Sequence, residues 1–569
     1  MKQEICNRIE ALRQWMNEQE LGGMVLPTMD PHNSEYVAAH WQARQWFSGF
    51  TGSAGTLVVT PTEACLWTDS RYWLQATEQL SGTPIDLMRE GEDEELAVWM
   101  EKHVAGRIGF PEDMMVSQLY AEIFTVNTSQ SATPLPAAAL DALWPDRPSL
   151  PFSKAEVMPE NLAGEAAESK MQRIVKWLEE KQGNELFISE LSEICWTLNL
   201  RADDIPYNPF LISFLLLRTD GNHVLYTHQE QLDSEVRRHL ESLHISIRPY
   251  DEGLRIQQER LKVETEESPV AAFRARKNDA EIAGFREAHV RDGVAMVRFM
   301  RRLEETRNEE WTELRVDREL TALRAEQPGF RGLSFETIAA SGPHGAIVHY
   351  EATEETSAVL ADHGFLLLDS GAHYDCGTTD ITRTIALGSL TDEERHVYTL
   401  VLRGHLQLQN MHFPEGTTGL QLDTAARASM WREGYDFGHG TGHGVGHRLG
   451  VHEGPVQIRK NVRACTLLDI RARQVITDEP GIYVEGRFGV RIENMLLCQE
   501  AGATEFGRFL RFEPLTLCPY DLRAIDPEML SAEERGWLNE YHRHVRITLE
   551  PLLDDPADRR WLQEATRPL

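Results

Sequence analysis

DSGAHYDCGTTDITRT, residues 369–384, decides how this chain is read. The apolar run FLLL (365–368) before it has the character of a buried strand, and Asp369 stands at its end. Asp375-Cys376-Gly377 is a turn signal, and ITRTIAL (381–387) alternates like a returning strand. A hairpin of this kind brings Asp380 back beside Asp369, and alternation can set both carboxylates on one side. Two anions held close in a partly dry site repel, so one pKa must rise or a cation must enter. Taken alone, the pair reads as two turn aspartates, the commoner use of that residue at strand ends.

A second stretch repeats the arrangement. VITDEPGIYVEGRFGVRIEN (475–494) sets Glu479 before Pro480 and Glu493 beyond a Glu485-Gly486 turn. Between the two pairs lies GHGTGHGVGHRLGVHEGP (438–455). Its glycines at 438, 440, 442, 444 and 446 oppose a regular helix. His439 and His443 are therefore not a helical zinc pair; the glycines let backbone fit closely around something while histidines project into it. Histidines also concentrate between His344 and His452. Asp369, Asp380, Glu479 and Glu493 with one histidine form an oxygen-rich set of charge −4, which two divalent cations would neutralise. Such a set suits Mn²⁺ or a similar ion better than structural zinc. Two ions about 3.5–4 Å apart would share a water and lower its pKa toward neutrality. The residues thus reach metal-assisted hydrolysis, and no substrate.

The bulk properties set limits. At 569 residues the chain exceeds one ordinary core, so two to four domains are expected. With 57 basic and 90 acidic residues the formal charge is −33. That opposes nonspecific binding to nucleic acid or to acidic membranes. No apolar run approaches the roughly 18 residues a span needs. The N-terminus lacks a secretory h-region and reads as an amphipathic helix with Ile5, Ile9, Leu12 and Met16 on one face. Seven scattered cysteines without a CxxC pair suggest neither disulfides nor a thiolate zinc site, so a reducing cytoplasm is the expected setting.

Along the chain, residues 1–152 alternate helix and strand signals up to the Pro-rich ALWPDRPSLPF. A second α/β block, 153–275, fades at the charged LKVETEESPV (261–270). The third region, 276–569, opens on a long helix. Asn278 and Glu281 can form its capping box, and Ile282, Phe285, Met296, Met300 and Leu303 recur at helical spacing. Nearly all the suspicious chemistry lies in this third region.

The motifs DSGAHYDCGTTDITRT, SGPHGAIVHY, HGTGHGVGHRLGVHEGP, TDEPGIY and GVRIEN resemble, in order, the signatures of the pita-bread metallopeptidases. More narrowly they resemble the cytosolic three-domain Xaa-Pro aminopeptidases. GFTGSAGTLVV and WTDSRYWLQA (49–76) are similar to that family's first domain, LNLRADDIPYNP (198–209) to its second, and LTLCPYDLRAIDPEML with WLNEYHRHV (515–545) to its tail. The resemblance implies an α/β (α+β) chain: two creatinase-type α/β domains, then a pita-bread catalytic domain. It implies two metal ions, manganese foremost with zinc or cobalt as alternatives. Asp369 would bind one ion, Asp380 and Glu493 would bridge the two, and His443 and Glu479 would complete the other. Glu479 would also act as general base. His349 and His452 would orient substrate and aid proton movement or oxyanion stabilisation, and His439 would shape the pocket.

The implied reaction removes the first residue from peptides whose second is proline, by attack of a metal-bridging hydroxide on the Xaa-Pro carbonyl. Proline's amide lacks an N–H and its ring fixes φ, so a dedicated site is needed. A homodimer is the family expectation. Two stretches depart from the commoner pattern: Glu351 stands where a basic residue is frequent, and 456–476 lacks the usual lead-in to the glutamate hairpin. A prolidase, cutting Xaa-Pro dipeptides with the same five ligands, is the rival enzyme. A non-catalytic peptide-binding relative is the rival from another class, although such relatives lose the ligands.

Overall fold

The helix Lys2–Glu18 opens the chain and buries Ile5, Ile9, Leu12 and Met16, the stripe its spacing predicts. The computed structural model describes residues 2–126, 130–261 and 268–569, so most of the charged stretch expected to end the second region (262–267) lies outside the described residues. Two compact units emerge: Met1–Pro159 with Ala166–Val270, and Glu160–Glu165 with Ala271–Leu569. The first unit holds two main sheets. One has six strands in the order 86–89, 64–68, 56–59, 23–27, 107–111, 131–135, mixing antiparallel and parallel pairs. The other has four, in the order 245–249, 223–227, 213–218, 185–188.

The second unit opens on the helix Asp279–Glu305, the longest in the described chain. Asn278 Oδ1 accepts from the Glu281 amide at 3.0 Å while Glu281 Oε2 accepts from the Asn278 amide at 2.9 Å, so two orphan N–H groups of the first turn are satisfied reciprocally. Ile282, Phe285, Met296, Met300 and Leu303 are all buried. Phe299, Met300 and Leu303 pack with Val316 and Leu320 of the helix Glu313–Ala325, and with Leu366 and Leu368 of a three-stranded sheet (338–341, 365–370, 381–386). Each such side chain contributes about 1.5–3 kcal/mol by leaving water.

That packing decides where Asp369 points. In the strand Phe365–Ser370, Leu366 and Leu368 face the helices, so Leu367 and Asp369 face the opposite side. There Leu367 meets Ile347, Tyr350 and Tyr483. The later half of the unit repeats the scheme. Helix Gly419–Trp431 places Leu422 and Ala426 against Ile458, Ile476, Leu496 and Phe512 of a six-stranded sheet.

Both carboxylate hairpins are stepped. The strand 365–370 pairs with 381–386, and a shorter ladder, 372–374 with 377–378, continues beyond a break at Gly371 and Thr379-Asp380. A Cβ on Gly371 would stand 2.1 Å from the Thr379 carbonyl oxygen, so the step requires glycine. Likewise 475–478 pairs with 494–504, and 481–484 pairs with 488–491 beyond a break at Glu479-Pro480 and Ile492-Glu493. Asp380, Glu479 and Glu493 thus sit at ladder breaks, where the backbone turns side chains inward between hairpins.

Candidate metal centre

Asp380, His443 and Glu493 each offer one donor atom, and the three atoms lie within 4.8 Å of one another. His443 Nε2 is 3.5 Å from Asp380 Oδ2 and 3.6 Å from Glu479 Oε1. Its other nitrogen, Nδ1, donates to the Gly444 carbonyl at 2.9 Å, which fixes the ring with Nε2 facing the carboxylates. Short strand Gly442–Gly444 carries this histidine, between 475–478 and 453–458. A Cβ on Gly442 would lie 2.0 Å from the Thr477 carbonyl, and one on Gly444 would lie 2.3 Å from that of Glu453. The glycines therefore let this strand press against both neighbours.

The hairpins are tied to each other. The Thr382 hydroxyl donates to Glu493 Oε2 at 2.9 Å, and the Glu493 amide donates to the Thr382 carbonyl at 3.1 Å. Thr477 Oγ1 donates to Glu479 Oε1 at 3.3 Å and accepts from the His443 amide at 3.0 Å. Asp369 joins through Arg491, whose Nη2 and Nε donate to Asp369 Oδ2 at 2.6 and 3.0 Å. Its other oxygen, Oδ1, is buried without a hydrogen-bond partner.

The electrostatics call for added positive charge. Burial pushes Glu493 well above its usual range, reinforced by Asp380, Asp369 and Glu479. Burial likewise raises Glu479 to about 7, against the pull of His443. Asp369 is raised by burial in spite of Arg491. Burial opposes charging of His443, but Asp380 and Glu479 outweigh it and lift it to about 9. A cation would reverse each of these carboxylate shifts. The orphaned Asp369 oxygen, the His443 Nε2 aimed at the carboxylates and the oxygen-rich donor set all fit divalent ions of the harder kind.

The remaining histidines surround this cluster. His439 Nδ1 donates to the Gly440 carbonyl at 2.7 Å and its Nε2 accepts from the Tyr483 hydroxyl at 2.7 Å. Arg491 Nη1 in turn donates to the Tyr483 oxygen at 2.8 Å. Burial, then the nearby Arg491 charge, hold His439 well below its ordinary value, consistent with a neutral ring in that chain of bonds. His439 Nδ1 is 4.0 Å from Glu479 Oε2. The rings of His452 and His443 meet edge to face at 4.3 Å. His349 occupies the turn after the helical turn 342–346, half-buried. Gly345 of that turn is pressed onto Gly489; a Cβ on Gly489 would stand 1.7 Å from the Gly345 carbonyl oxygen.

Sequence reasoning passed over Arg491 and Tyr483. Both carried a readable signal: Arg491 is two residues before Glu493 on an extended stretch, and Tyr483 is four after Glu479 within TDEPGIY. His344, His373 and His447 are engaged elsewhere, with Glu313, Thr378 and the Cys376 carbonyl.

Comparison with known proteins matches this arrangement along the whole chain. The profile described as metallopeptidase family M24 covers residues 283–500, and that of the C-terminal region of peptidase M24 covers 508–569. The creatinase/prolidase N-terminal domain is matched twice, over 8–138 and 146–262. A probable Xaa-Pro aminopeptidase P of Paracoccidioides lutzii is 36% identical over 617 residues, covering 100% of this chain and 99% of the relative. Aminopeptidase P1 of Lotus japonicus is 34% identical, covering 99% of each. The crystal structure of X-prolyl aminopeptidase from Caenorhabditis elegans, described as a cytosolic enzyme with a di-nuclear active site, superposes with a TM-score of 0.94 at 32% identity and 100% coverage of both chains.

Proposed function

This chain belongs to the Xaa-Pro aminopeptidase P group of metallopeptidase family M24, and on that footing we propose that it releases the N-terminal residue from peptides with proline in the second position. The observation that carries the reading is the likeness over the full chain, both creatinase-type regions included, to proteins of that name. Two divalent ions, manganese foremost, would be held by Asp369, Asp380, His443, Glu479 and Glu493. When bound they supply neutralising charge and a water acidified to nucleophilic strength.

The chain's own groups do the rest. Glu479, steadied by Thr477, takes the proton of the attacking water and returns it to the proline nitrogen as the C–N bond breaks. His349 and His452 orient the scissile carbonyl and donate to the oxygen on which charge develops. His439, kept neutral, shapes the pocket wall with Tyr483. Arg491 holds Asp369 in one orientation and balances part of the carboxylate charge. A homodimer, a cytoplasmic setting and domain boundaries near 152 and 275 belong to the same proposal. Among the described residues no helix is long and apolar enough to cross a membrane.

Hydrolysis of Arg-Pro-Pro against Arg-Pro, with Mn²⁺ and after chelation, tests the reading. Manganese-dependent release of arginine from the tripeptide, with the dipeptide cut slowly, is expected. Preference for Arg-Pro would make the protein a prolidase, and no turnover of either would leave a peptide-binding role.

A further inference from the structure

Glu313 is the first residue of the helix Glu313–Ala325 and has no solvent exposure. A glutamate at that position usually faces water and answers the helix dipole. Here the carboxylate turns inward and accepts from five donors. Oε1 takes the Ser341 amide at 2.8 Å and its hydroxyl at 3.1 Å. Oε2 takes the Tyr350 hydroxyl at 2.9 Å and the Ala358 amide at 2.8 Å. His344 Nδ1 stands 3.0 Å from both oxygens, and its ring stacks on that of Tyr350 at 4.2 Å. Burial works to raise this carboxyl, but His344 and the Ala358 and Ser341 amides outweigh it and hold it below its ordinary value.

Those donors are spread along one loop. Ser341 is its start, His344 and Tyr350 its middle, and Ala358 its end. The backbone repeats the closure, because the Glu313 amide donates to the Ala358 carbonyl at 3.1 Å. Within this loop, directly before Tyr350, lies His349. The other side of the loop rests on the Gly489 strand, where a glycine meets a glycine, and its Ile347 and Tyr350 share a cluster with Tyr483. One buried carboxylate thus gathers an 18-residue loop that has no sheet ladder of its own beyond Ser341.

We propose that Glu313 is a positioning residue for the hydrolysis, acting through the 341–358 loop to hold His349 at the scissile carbonyl. The inference rests on the reading that His349 contacts substrate. A catalytic group displaced by about 1 Å loses about a hundredfold in rate, so the effect is large enough to separate from noise.

A double-mutant cycle on the manganese-loaded full chain, with Arg-Pro-Pro as substrate, tests it. His349→Ala alone is expected to lower kcat about a hundredfold, as removal of one oxyanion donor does. Glu313→Gln should lower kcat about ten- to a hundredfold, with KM changed less than about threefold and the manganese titration curve unaltered. In the double variant the Glu313→Gln effect should vanish, because the group it serves is gone. A general loosening of the fold would instead multiply the two losses. Should Glu313→Gln not fold, Tyr350→Phe removes a single donor, and its smaller loss should also vanish without His349. Independent, multiplying losses overturn the inference while leaving the role of His349 standing. An unchanged rate in His349→Ala overturns both the inference and the reading beneath it.

Discussion

Arg383 is 1% exposed and faces no carboxylate, yet it is placed to decide how tightly the glutamate hairpin is held. Its Nη1 donates to the carbonyls of Glu493 at 2.6 Å and Thr382 at 2.9 Å. Its Nη2 reaches Asn494 Oδ1 at 2.9 Å, the Cys518 carbonyl at 2.8 Å and the Tyr541 hydroxyl at 2.9 Å, and its Nε reaches the Pro519 carbonyl at 3.2 Å. One guanidinium thus joins the aspartate hairpin, Glu493 and the C-terminal segment. Arg383→Met keeps much of the side-chain volume and removes the donors. The Thr382 and Cys518 carbonyls keep other donors, the Glu493 amide and the Tyr541 hydroxyl. The Glu493 carbonyl loses its side-chain donor and the Pro519 carbonyl keeps only the weak Cys518 thiol at 3.8 Å, at about 1–3 kcal/mol each. Relief of the buried cation's desolvation returns part of that, so a net loss of about 2–4 kcal/mol is expected. Glu493 would still be held by Thr382, so its carboxylate loosens without leaving. Divalent-ion affinity should then fall about 10–100-fold, the usual effect of removing an outer partner of a ligand. Manganese titration calorimetry on stripped protein gives the affinity, and a urea midpoint gives the stability. Affinity within twofold of the parent, alongside the full stability loss, would refute the argument and leave Arg383 as a tie for the C-terminal segment only.

Three other perturbations follow from the same geometry. Lys277 and Glu453 form a buried ion pair beside Arg274, and Glu453 directly follows His452. Lys277→Met should cost about 3–5 kcal/mol in a urea titration by removing the hydrogen-bonded partner of the buried glutamate and leaving it only the longer Arg274 contact at 3.9 Å, and adding Glu453→Gln should recover much of it. His542 is buried, its Nε2 accepts from the Tyr520 amide, and burial with the nearby Arg383 lowers it to about 3. Its folded pKa lies below the unfolded value near 6.5, so the unfolded chain takes up the proton first. Stability is then lost as pH falls from about 6.5 toward 3, by about 1.4 kcal/mol per pH unit. His542→Gln should show a shallower fall in urea midpoint between pH 6.5 and 5 than the parent, and equal slopes would refute the assignment. Gly489→Ala places a methyl on the Gly345 carbonyl. It should cost about 1–3 kcal/mol by overpacking and lower kcat on Arg-Pro-Pro with manganese binding retained.

Local chemistry made the sequence legible where it was legible. The Asn278 capping box and the buried stripe of the first helix are settled within four residues and by a 3.6-residue period. The carboxylate pairs could be picked out because each lies within 15 residues around a turn, and because glycines at alternate positions mark a backbone in close contact. Glu313 could not be found this way. It is one of 90 acidic residues, sits where helices commonly place a glutamate, and binds atoms 28 to 45 residues further on. Arg383 is similar: its alternation within ITRT is visible, but its partners at 493–494 and 518–541 are not. The step in each hairpin was also hidden, since a continuous two-strand ladder and one broken at Gly371 read alike until the Thr379 carbonyl is seen against that glycine.

The steps explain how a few strands serve two purposes. Asp478 and Glu479 are neighbours, as are Glu493 and Asn494, and an extended backbone sends neighbours to opposite faces. Glu479 and Glu493 go to the metal side. Asp478 goes to the helix side, where His405 Nδ1 donates to the Asp478 backbone carbonyl at 3.2 Å and lies 3.1 Å from its Oδ2, and His405 Nε2 meets the Tyr520 hydroxyl at 2.8 Å. Asn494 Nδ2 donates to the same Tyr520 oxygen at 2.9 Å and to Gln409 at 2.7 Å. The reverse side of each glutamate is therefore fixed to the helix Asp392–Gln409 and to the C-terminal segment by one fully buried network. Buried polar groups joined in this way lose heavily if any member moves. The two glutamates cannot drift apart to relieve their mutual repulsion, and that resistance keeps a set of like charges assembled for a cation to enter.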